Sequence, residues 1–240
     1  MARWGRTTDI EYVYTVKDGK AIVQGPGHKD IDFTGRREDL HPLLMPVTDN
    51  NMISAGPGVG LRFQPAPILV ELTHSSREQV MDDAGVTYQV MSKELIREDK
   101  LRPFGTVASE RISDPRNYLF VEYKARHRHS AFVVEVHTKA GRSFSSDLGR
   151  LDYAIWRDGW VRTTIELPPG TGIDGIKAIG FRCIVAPPEG RSALAHSGQC
   201  QLEGVSKAFY LNDAYLPGKS IWSLQKRVSV ETGQSMLFEP

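Results

Sequence analysis

The fold is indicated most clearly by the stretch YLFVEYKA (residues 118–125), in which apolar and polar side chains nearly alternate. A two-residue period is typical of a β-strand with one face in a core. The segment RHRHS (126–130) interrupts the alternation, and AFVVEVHT (131–138) resumes it. The two stretches therefore predict a hairpin, and KAGR (139–142) supplies the next turn.

Two more strands follow along the chain. In WVRTTIEL (160–167), the residues Val161, Thr163, Ile165 and Leu167 lie on one side, and the following PPG stops the strand because proline cannot donate to a ladder. From 176 to 185, Ile179, Phe181, Cys183 and Val185 share a face. Four strands joined by turns predict an all-β fold, an antiparallel β-sandwich with long loops and at most short helices.

The segments GWVRTTIELP (159–168) and IKAIGF (176–181) give this region a family resemblance. With the preceding hairpin, the order of strands over residues 118–185 resembles the galactose-binding-like jelly roll of many carbohydrate-binding modules. The resemblance implies a jelly-roll scaffold, and a scaffold does not fix a function. Jelly rolls of this type often hold a structural calcium, for which the turn residues Asp49, Asn50, Asn212 and Asp213 are the oxygen donors considered.

The length of 240 residues fits one large β domain or two small ones, and one domain is the expected organisation. It would comprise an elaborated N-terminal portion (1–100), a sandwich core (105–215) and a packed tail (216–240). The N-terminal portion is expected to hold a hairpin around KDGK (17–20) and a long ordered loop over 35–60. Strands are predicted over 67–73 and 86–91, a short helix or loop over 75–83, and helix-forming residues occupy 93–99.

Charge and hydropathy exclude several classes of protein. Thirty basic residues nearly cancel twenty-nine acidic ones, so electrostatic binding of nucleic acid is not expected. The chain has no run of eighteen apolar residues and therefore no predicted membrane span. An intact signal peptide is not recognisable at the start. A secreted or periplasmic location is expected if a leader was removed, and a cytoplasmic one otherwise; the oligomeric state is left open.

Cys183 and Cys200 are the two cysteines of the chain. If the strands that carry them pair in register, the two thiols meet as a disulfide, which would argue for an oxidising compartment. The alternative is two buried thiols, since free cysteine is also a core residue.

Three large aromatic residues in a polar stretch are the first candidate binding site. Sugar recognition needs flat aromatic surfaces and polar groups that bind hydroxyls, and Tyr153, Trp156 and Trp160 occur within LDYAIWRDGW (151–160). In the alternative interpretation, Trp156 or Trp160 caps one end of the sandwich.

The polar side of the predicted sheet is the second candidate. If the apolar residues face the core, Glu122, His137, Arg162 and Arg182 face the other way and line a shallow groove. The alternative is an ordinary solvated sheet face. These four residues and the three aromatics form the predicted ligand site.

Metal and catalytic motifs give weaker signals. His127 and His129 have the same-side spacing of a strand, but a third ligand is not assigned, and a basic hairpin tip is the competing interpretation. Glu122 and Glu135 are a candidate carboxylate pair for glycoside cleavage. Neither a G-x-S-x-G elbow nor an HExxH motif occurs. The sequence therefore predicts a non-catalytic carbohydrate-binding module without an assigned cofactor other than the calcium that the resemblance implies. A polysaccharide-active hydrolase or lyase and a structural or assembly protein are the alternatives.

Overall fold

The computed structural model describes residues 1, 3–39, 41–48, 52–55, 62–64, 66, 68–106, 111–185 and 198–240. The chain divides into two compact units, one of residues 9–69 and one that combines residues 1–8 with 70–240. The expected single domain stays a prediction, and each unit is described by itself.

The unit of residues 9–69 is a small antiparallel β structure. Strands β1 (Tyr14–Lys17), β2 (Lys20–Gly25) and β3 (Lys29–Asp32) form a sheet in that order. The hairpin predicted around residues 17–20 is confirmed, and its turn residues Asp18 and Gly19 both have positive φ, which glycine at the second position favours. Within the expected long loop, two short hairpins pair β4 (Arg37–Glu38) with β5 (His41–Pro42) and β6 (Leu44–Pro46) with β7 (Ile53–Ala55).

The second unit contains two helices and nine strands among its described residues. The helices are α1 (Gln79–Asp83) and α2 (Val86–Arg97). The strands are β8 (Tyr118–Arg128), β9 (Ser130–Thr138), β10 (Ser143–Ser145), β11 (Gly159–Glu166), β12 (Ile176–Val185), β13 (Gln199–Phe209), β14 (Trp222–Leu224), β15 (Val228–Glu231) and β16 (Ser235–Phe238).

These strands form the predicted antiparallel sandwich, but the predicted hairpin of β8 and β9 is wrong, because the two strands lie in different sheets. One sheet has the order β11-β8-β13-β14, with β15 also paired to β13, and is called the β8 sheet. The other has the order β10-β9-β12-β16 and is called the β9 sheet. The residues predicted to face inward form one shared core and are at most 2% exposed: Phe132, Val134, Val161, Ile165, Ile179 and Phe181. The alternation of residues 118–185 thus defines the core of the second unit.

Cys183 and Cys200 form a disulfide, with Cα atoms 5.8 Å apart. The strands that carry them do not pair with each other, since β12 belongs to the β9 sheet and β13 to the β8 sheet. The bond therefore crosses the core between the layers, which differs from the hairpin geometry expected from the sequence.

The predicted strand over 86–91 is wrong, because these residues begin α2. Its buried side chains are Tyr88, Met91, Ser92 and Leu95, the spacing of one helical face. A strand over 67–73 is likewise not formed by the described part, residues 68–73, and Leu69 is 99% exposed. Residue 67 lies outside the described residues. Neither described helix is long and apolar enough to cross a membrane.

Candidate functional site

Helices α1 and α2 cover part of the outer side of the β8 sheet. This covered face carries Phe120, Glu122, Arg162 and Phe209. Phe120 stacks on Phe209 with ring centroids 4.9 Å apart, and Tyr88 of α2 meets Phe120 edge to face at 5.7 Å. The outer side of this sheet is therefore a second packed layer over these residues.

Arg162 is the centre of a buried polar network on the covered face. Its guanidinium donates to both carboxylate oxygens of Asp82 at 2.7 Å and to Glu122 Oε2 at 2.7 Å. It also donates to Tyr88 Oη at 2.8 Å. Lys207 Nζ lies 2.5 Å from Asp82 Oδ2, so two cations share that carboxylate. The network fixes α1 to the sheet through charge-assisted hydrogen bonds.

The electrostatics of Asp82 follow from this arrangement. Burial disfavours the charged carboxylate, but the hydrogen bonds and positive charges of Arg162 and Lys207 outweigh burial and lower the pKa of Asp82 below its usual value. Asp82 is thus held ionised as the counterion of a buried arginine.

The predicted exposure of Glu122 and Arg162 is wrong. Their side chains are 1% and 0% exposed, and Glu122 also accepts from Ser76 Oγ at 2.5 Å and from Ser206 Oγ at 2.8 Å. The alternation of residues along the strands predicts an outward-facing side here, but it contains no signal for the helices α1 and α2 that cover it. These two residues cannot line a groove with His137 and Arg182, which lie on the other sheet.

The outer side of the β9 sheet is more accessible and carries a fixed row of polar groups. This open face comprises Glu135, His137, Ser143, Asp147 and Arg182. Arg182 Nε donates to Glu135 Oε1 at 2.6 Å, and Arg182 Nη2 lies 3.5 Å from Asp147 Oδ2. His137 Nδ1 lies 2.8 Å from Ser143 Oγ, and His137 Nε2 lies 3.8 Å from Glu135 Oε2. On the open face, Glu135 therefore lies between Arg182 and His137.

Trp156 follows a residue that pairs with the β9 sheet. Ile155 exchanges backbone hydrogen bonds with Phe132 of β9, at 2.8 and 2.9 Å, and its side chain enters the core. Ala154 instead packs in an outer cluster with Ala131 and Val133. Trp156 is the next residue after Ile155 and is 37% exposed.

The other two predicted aromatics lie elsewhere. Trp160 is opposite Lys124 in the β8 sheet, with Lys124 Nζ 5.9 Å from the centre of its ring. Tyr153 ends a 3₁₀ turn, and the guanidinium of Arg150 lies 4.5 Å from its ring centroid. Trp160 therefore belongs to the β8 sheet, whereas Ile155, next to Trp156, pairs with β9.

The histidine pair does not converge. The side chain of His127 is 3% exposed, lies against Phe132 in an edge-to-face contact and has Nδ1 3.3 Å from Asp158 Oδ1. His129 follows the end of β8 with a positive φ and is exposed. Among the described residues, no group of three or more His, Cys, Asp or Glu side chains is arranged to hold a metal.

The residues considered for calcium are only partly described. Asp49 and Asn50 lie outside the described residues. Asn212 Oδ1 accepts from the backbone N–H groups of Ala214 and Leu216, which is the chemistry of a turn. Calcium binding stays a prediction.

Two clefts flank the turn that contains Pro168 and Gly172. One has a volume of about 560 Å³ and includes Arg116 and Tyr210 in its lining, and the other has a volume of about 700 Å³ and includes Phe144. Burial raises the pKa of Tyr210 above its usual value, and its hydroxyl has no hydrogen-bond partner among the described residues. These clefts were not predicted from the sequence. The Pro-Pro-Gly turn that lines both of them is the sequence feature that could have indicated them.

No family model matches the chain, and no curated protein or solved structure shows significant similarity to it. Function is therefore inferred from the chemistry of the surfaces. The covered face is a buried structural network, whereas the open face presents oriented hydrogen-bonding groups to solvent.

Proposed function

We propose that the protein is a non-catalytic carbohydrate-binding module and that its open face holds the sugar chain. The proposal is supported by the exposed indole of Trp156, which follows the residue paired with β9, and by the Arg182–Glu135 ion pair on the open face of the same sheet. An indole offers a flat apolar surface to the C–H face of a pyranose, and the polar groups bind its hydroxyls.

The rigidity of the polar row supports binding. Arg182 is held between Glu135 at 2.6 Å and Asp147 at 3.5 Å, and its side chain keeps 34% of its surface exposed. Asp147 is itself fixed, because its Oδ1 accepts from Ser145 Oγ at 2.6 Å and from the Gly149 N–H at 3.0 Å. Groups fixed before binding lose little conformational entropy when a ligand arrives.

The engagement of Glu135 favours a binding role over a catalytic one. One of its oxygens accepts from Arg182 and the other faces His137, so the carboxylate orients its neighbours. Glycoside cleavage instead needs two carboxyl groups directed at one bond. The polar row therefore suits recognition of hydroxyls.

Affinity gel electrophoresis against a panel of neutral polysaccharides tests the proposal. We expect wild-type protein to be retarded by at least one of them, and Trp156→Ala to weaken binding about tenfold, the effect of losing about 1.4 kcal/mol of stacking. Arg182→Met should weaken the same interaction. Trp160→Ala is the matched control, since Trp160 lies on the other sheet.

Two outcomes would contradict the proposal. The first is a wild-type protein that none of the neutral polysaccharides retards. The second is equal weakening by Trp156→Ala and Trp160→Ala. If the wild type releases reducing ends or unsaturated sugars and Glu135→Gln does not, the protein is an enzyme and not a binding module.

A further inference from the structure

A second polar surface lies on the outer side of the β8 sheet, near the C-terminal end of β8. This basic surface comprises Lys124, Arg126, Arg128, Glu203 and Arg227. The three cations of β8 alternate with residues 125 and 127, so they share one side of the strand. Alternate residues on a strand are about 6.8 Å apart, which gives a row of positive charge roughly 14 Å long.

The cations of this surface outnumber their counterions. Arg126 Nε lies 2.8 Å from Glu203 Oε1, Lys124 Nζ lies 3.4 Å from Oε2, and Arg227 Nη2 lies 3.7 Å from Oε1. One carboxylate, 7% exposed, thus orients three cations, of which Arg126 and Arg227 remain 68% and 67% exposed. The surface presents arranged positive charge to solvent, although the whole chain has a formal net charge of only +1.

Groups that bind hydroxyls accompany the cations. In the sheet register, Gln201 is opposite Arg126 and Gln199 is opposite Arg128. The amide nitrogens are held by Ser229 and Glu231, which leaves the amide oxygens for a ligand. At the other end of the row, Trp160 is opposite Lys124, and its buried Nε1 has no hydrogen-bond partner among the described residues. The row therefore combines cations, side-chain amides and an indole.

We propose that the basic surface binds a linear acidic polysaccharide, with carboxylate or sulfate groups on successive sugars. Repeated anions match the row of Lys124, Arg126 and Arg128, and the amides of Gln199 and Gln201 match sugar hydroxyls. A polysaccharide is favoured over a nucleic acid because nucleic-acid binding depends on neutralising many closely spaced phosphates, whereas the whole chain has a formal net charge of only +1.

This inference goes beyond the open-face proposal and stands independently of it, since the two surfaces lie on different sheets. The two can therefore fail separately. Loss of neutral-polysaccharide binding in Trp156→Ala concerns the open face alone, whereas binding to the basic surface is tested by comparing a charged polysaccharide with its uncharged form.

The experiment is affinity gel electrophoresis and calorimetry with polygalacturonate, against its fully methyl-esterified form as the uncharged match. We expect the wild type to bind polygalacturonate and the esterified chain at least tenfold more weakly. The double variant Arg126→Gln/Arg227→Gln should lose about fivefold for each arginine, the upper range for an exposed ion pair. Binding should also weaken as salt shortens the Debye length below about 8 Å.

A matched double variant controls for net charge and folding. Arg97 and Lys100 are 68% and 50% exposed, and each also pairs with a glutamate. They lie near Arg102, which binds Glu166 opposite Tyr118 at the other end of β8. Arg97→Gln/Lys100→Gln should therefore change affinity less than twofold. The proposal is wrong if both double variants lose affinity equally, if the methyl ester binds as well as the acid, or if single-stranded oligo(dT) binds more tightly than polygalacturonate.

Discussion

Replacement of Arg162 by methionine tests whether this arginine stabilises the fold, as its buried network indicates, rather than binding a ligand. The guanidinium is fully buried and makes four hydrogen bonds between 2.7 and 2.8 Å to Asp82, Glu122 and Tyr88. Removing one partner of a buried ion pair leaves an uncompensated charge, which costs about 3–5 kcal/mol. That is a large part of the roughly 5–15 kcal/mol that stabilises an ordinary domain.

The remaining contacts determine where the cost arises. Asp82 keeps Lys207 as a counterion, whereas Glu122 keeps two serine hydroxyls and has Lys207 Nζ only at 4.0 Å. Most of the penalty should therefore come from Glu122. Neutralising it in Arg162→Met/Glu122→Gln should recover about 1–3 kcal/mol, the coupling expected of directly bonded groups.

Urea unfolding followed by tryptophan fluorescence and circular dichroism measures these changes. Arg182→Met is the matched control, because it makes the same chemical change on the open face, where the side chain is 34% exposed. Because water still reaches part of this ion pair, Arg182→Met should cost less than Arg162→Met. The reasoning is refuted if Arg162→Met costs less than about 1 kcal/mol or no more than Arg182→Met.

Three further predictions concern the core. Tyr123 is fully buried and its hydroxyl has no hydrogen-bond partner among the described residues, so Tyr123→Phe should raise the free energy of unfolding by about 1 kcal/mol; a lower melting temperature would contradict this. Removing the Cys183–Cys200 bond with the double alanine variant should cost about 3 kcal/mol for a sequence separation of 17, and an unchanged urea midpoint would disprove it. Burial lowers the pKa of His127 below its ordinary value, and Asp158 only partly opposes this. The unfolded chain therefore binds more protons, so the stability is complete above about pH 6.5 and falls as the pH drops from there towards the folded pKa. His127→Leu should flatten this dependence between pH 7 and 5, and an unchanged slope would count against the role of His127.

The sandwich could be predicted because its decisive information is local. Alternation over residues 118–185 assigns Val134, Ile165 and Phe181 to the core without any knowledge of strand order. The segment 86–91 was wrongly predicted as a strand, because a short apolar pattern fits the period of a strand and the period of a helix. The residue against which Tyr88 packs decides between the two. That partner, Phe120, is 32 positions away, and local propensity does not report it.

The candidate site was harder to predict because chain proximity and spatial proximity differ. Tyr153, Trp156 and Trp160 are close in sequence, but the chain between them passes from one sheet to the other. Ile155 pairs with β9, whereas Trp160 pairs with β8. Similarly, alternation correctly places Arg162 on an outer side, but it contains no information on the helices that cover it.

The partial coverage of β8 explains why one strand contributes both to a buried network and to a basic surface. From Tyr118 to Tyr123 the strand is buried on both sides, whereas Arg126 and Arg128 are exposed. An ionised side chain under a helix must be neutralised by nearby partners, as Glu122 is by Arg162. Beyond the helices water solvates the charge, so an excess of cations is tolerated there without a matching number of carboxylates. Cations that folding does not require are free to bind an anionic ligand. Arg126→Gln should therefore weaken binding of polygalacturonate and leave the urea midpoint of unfolding nearly unchanged.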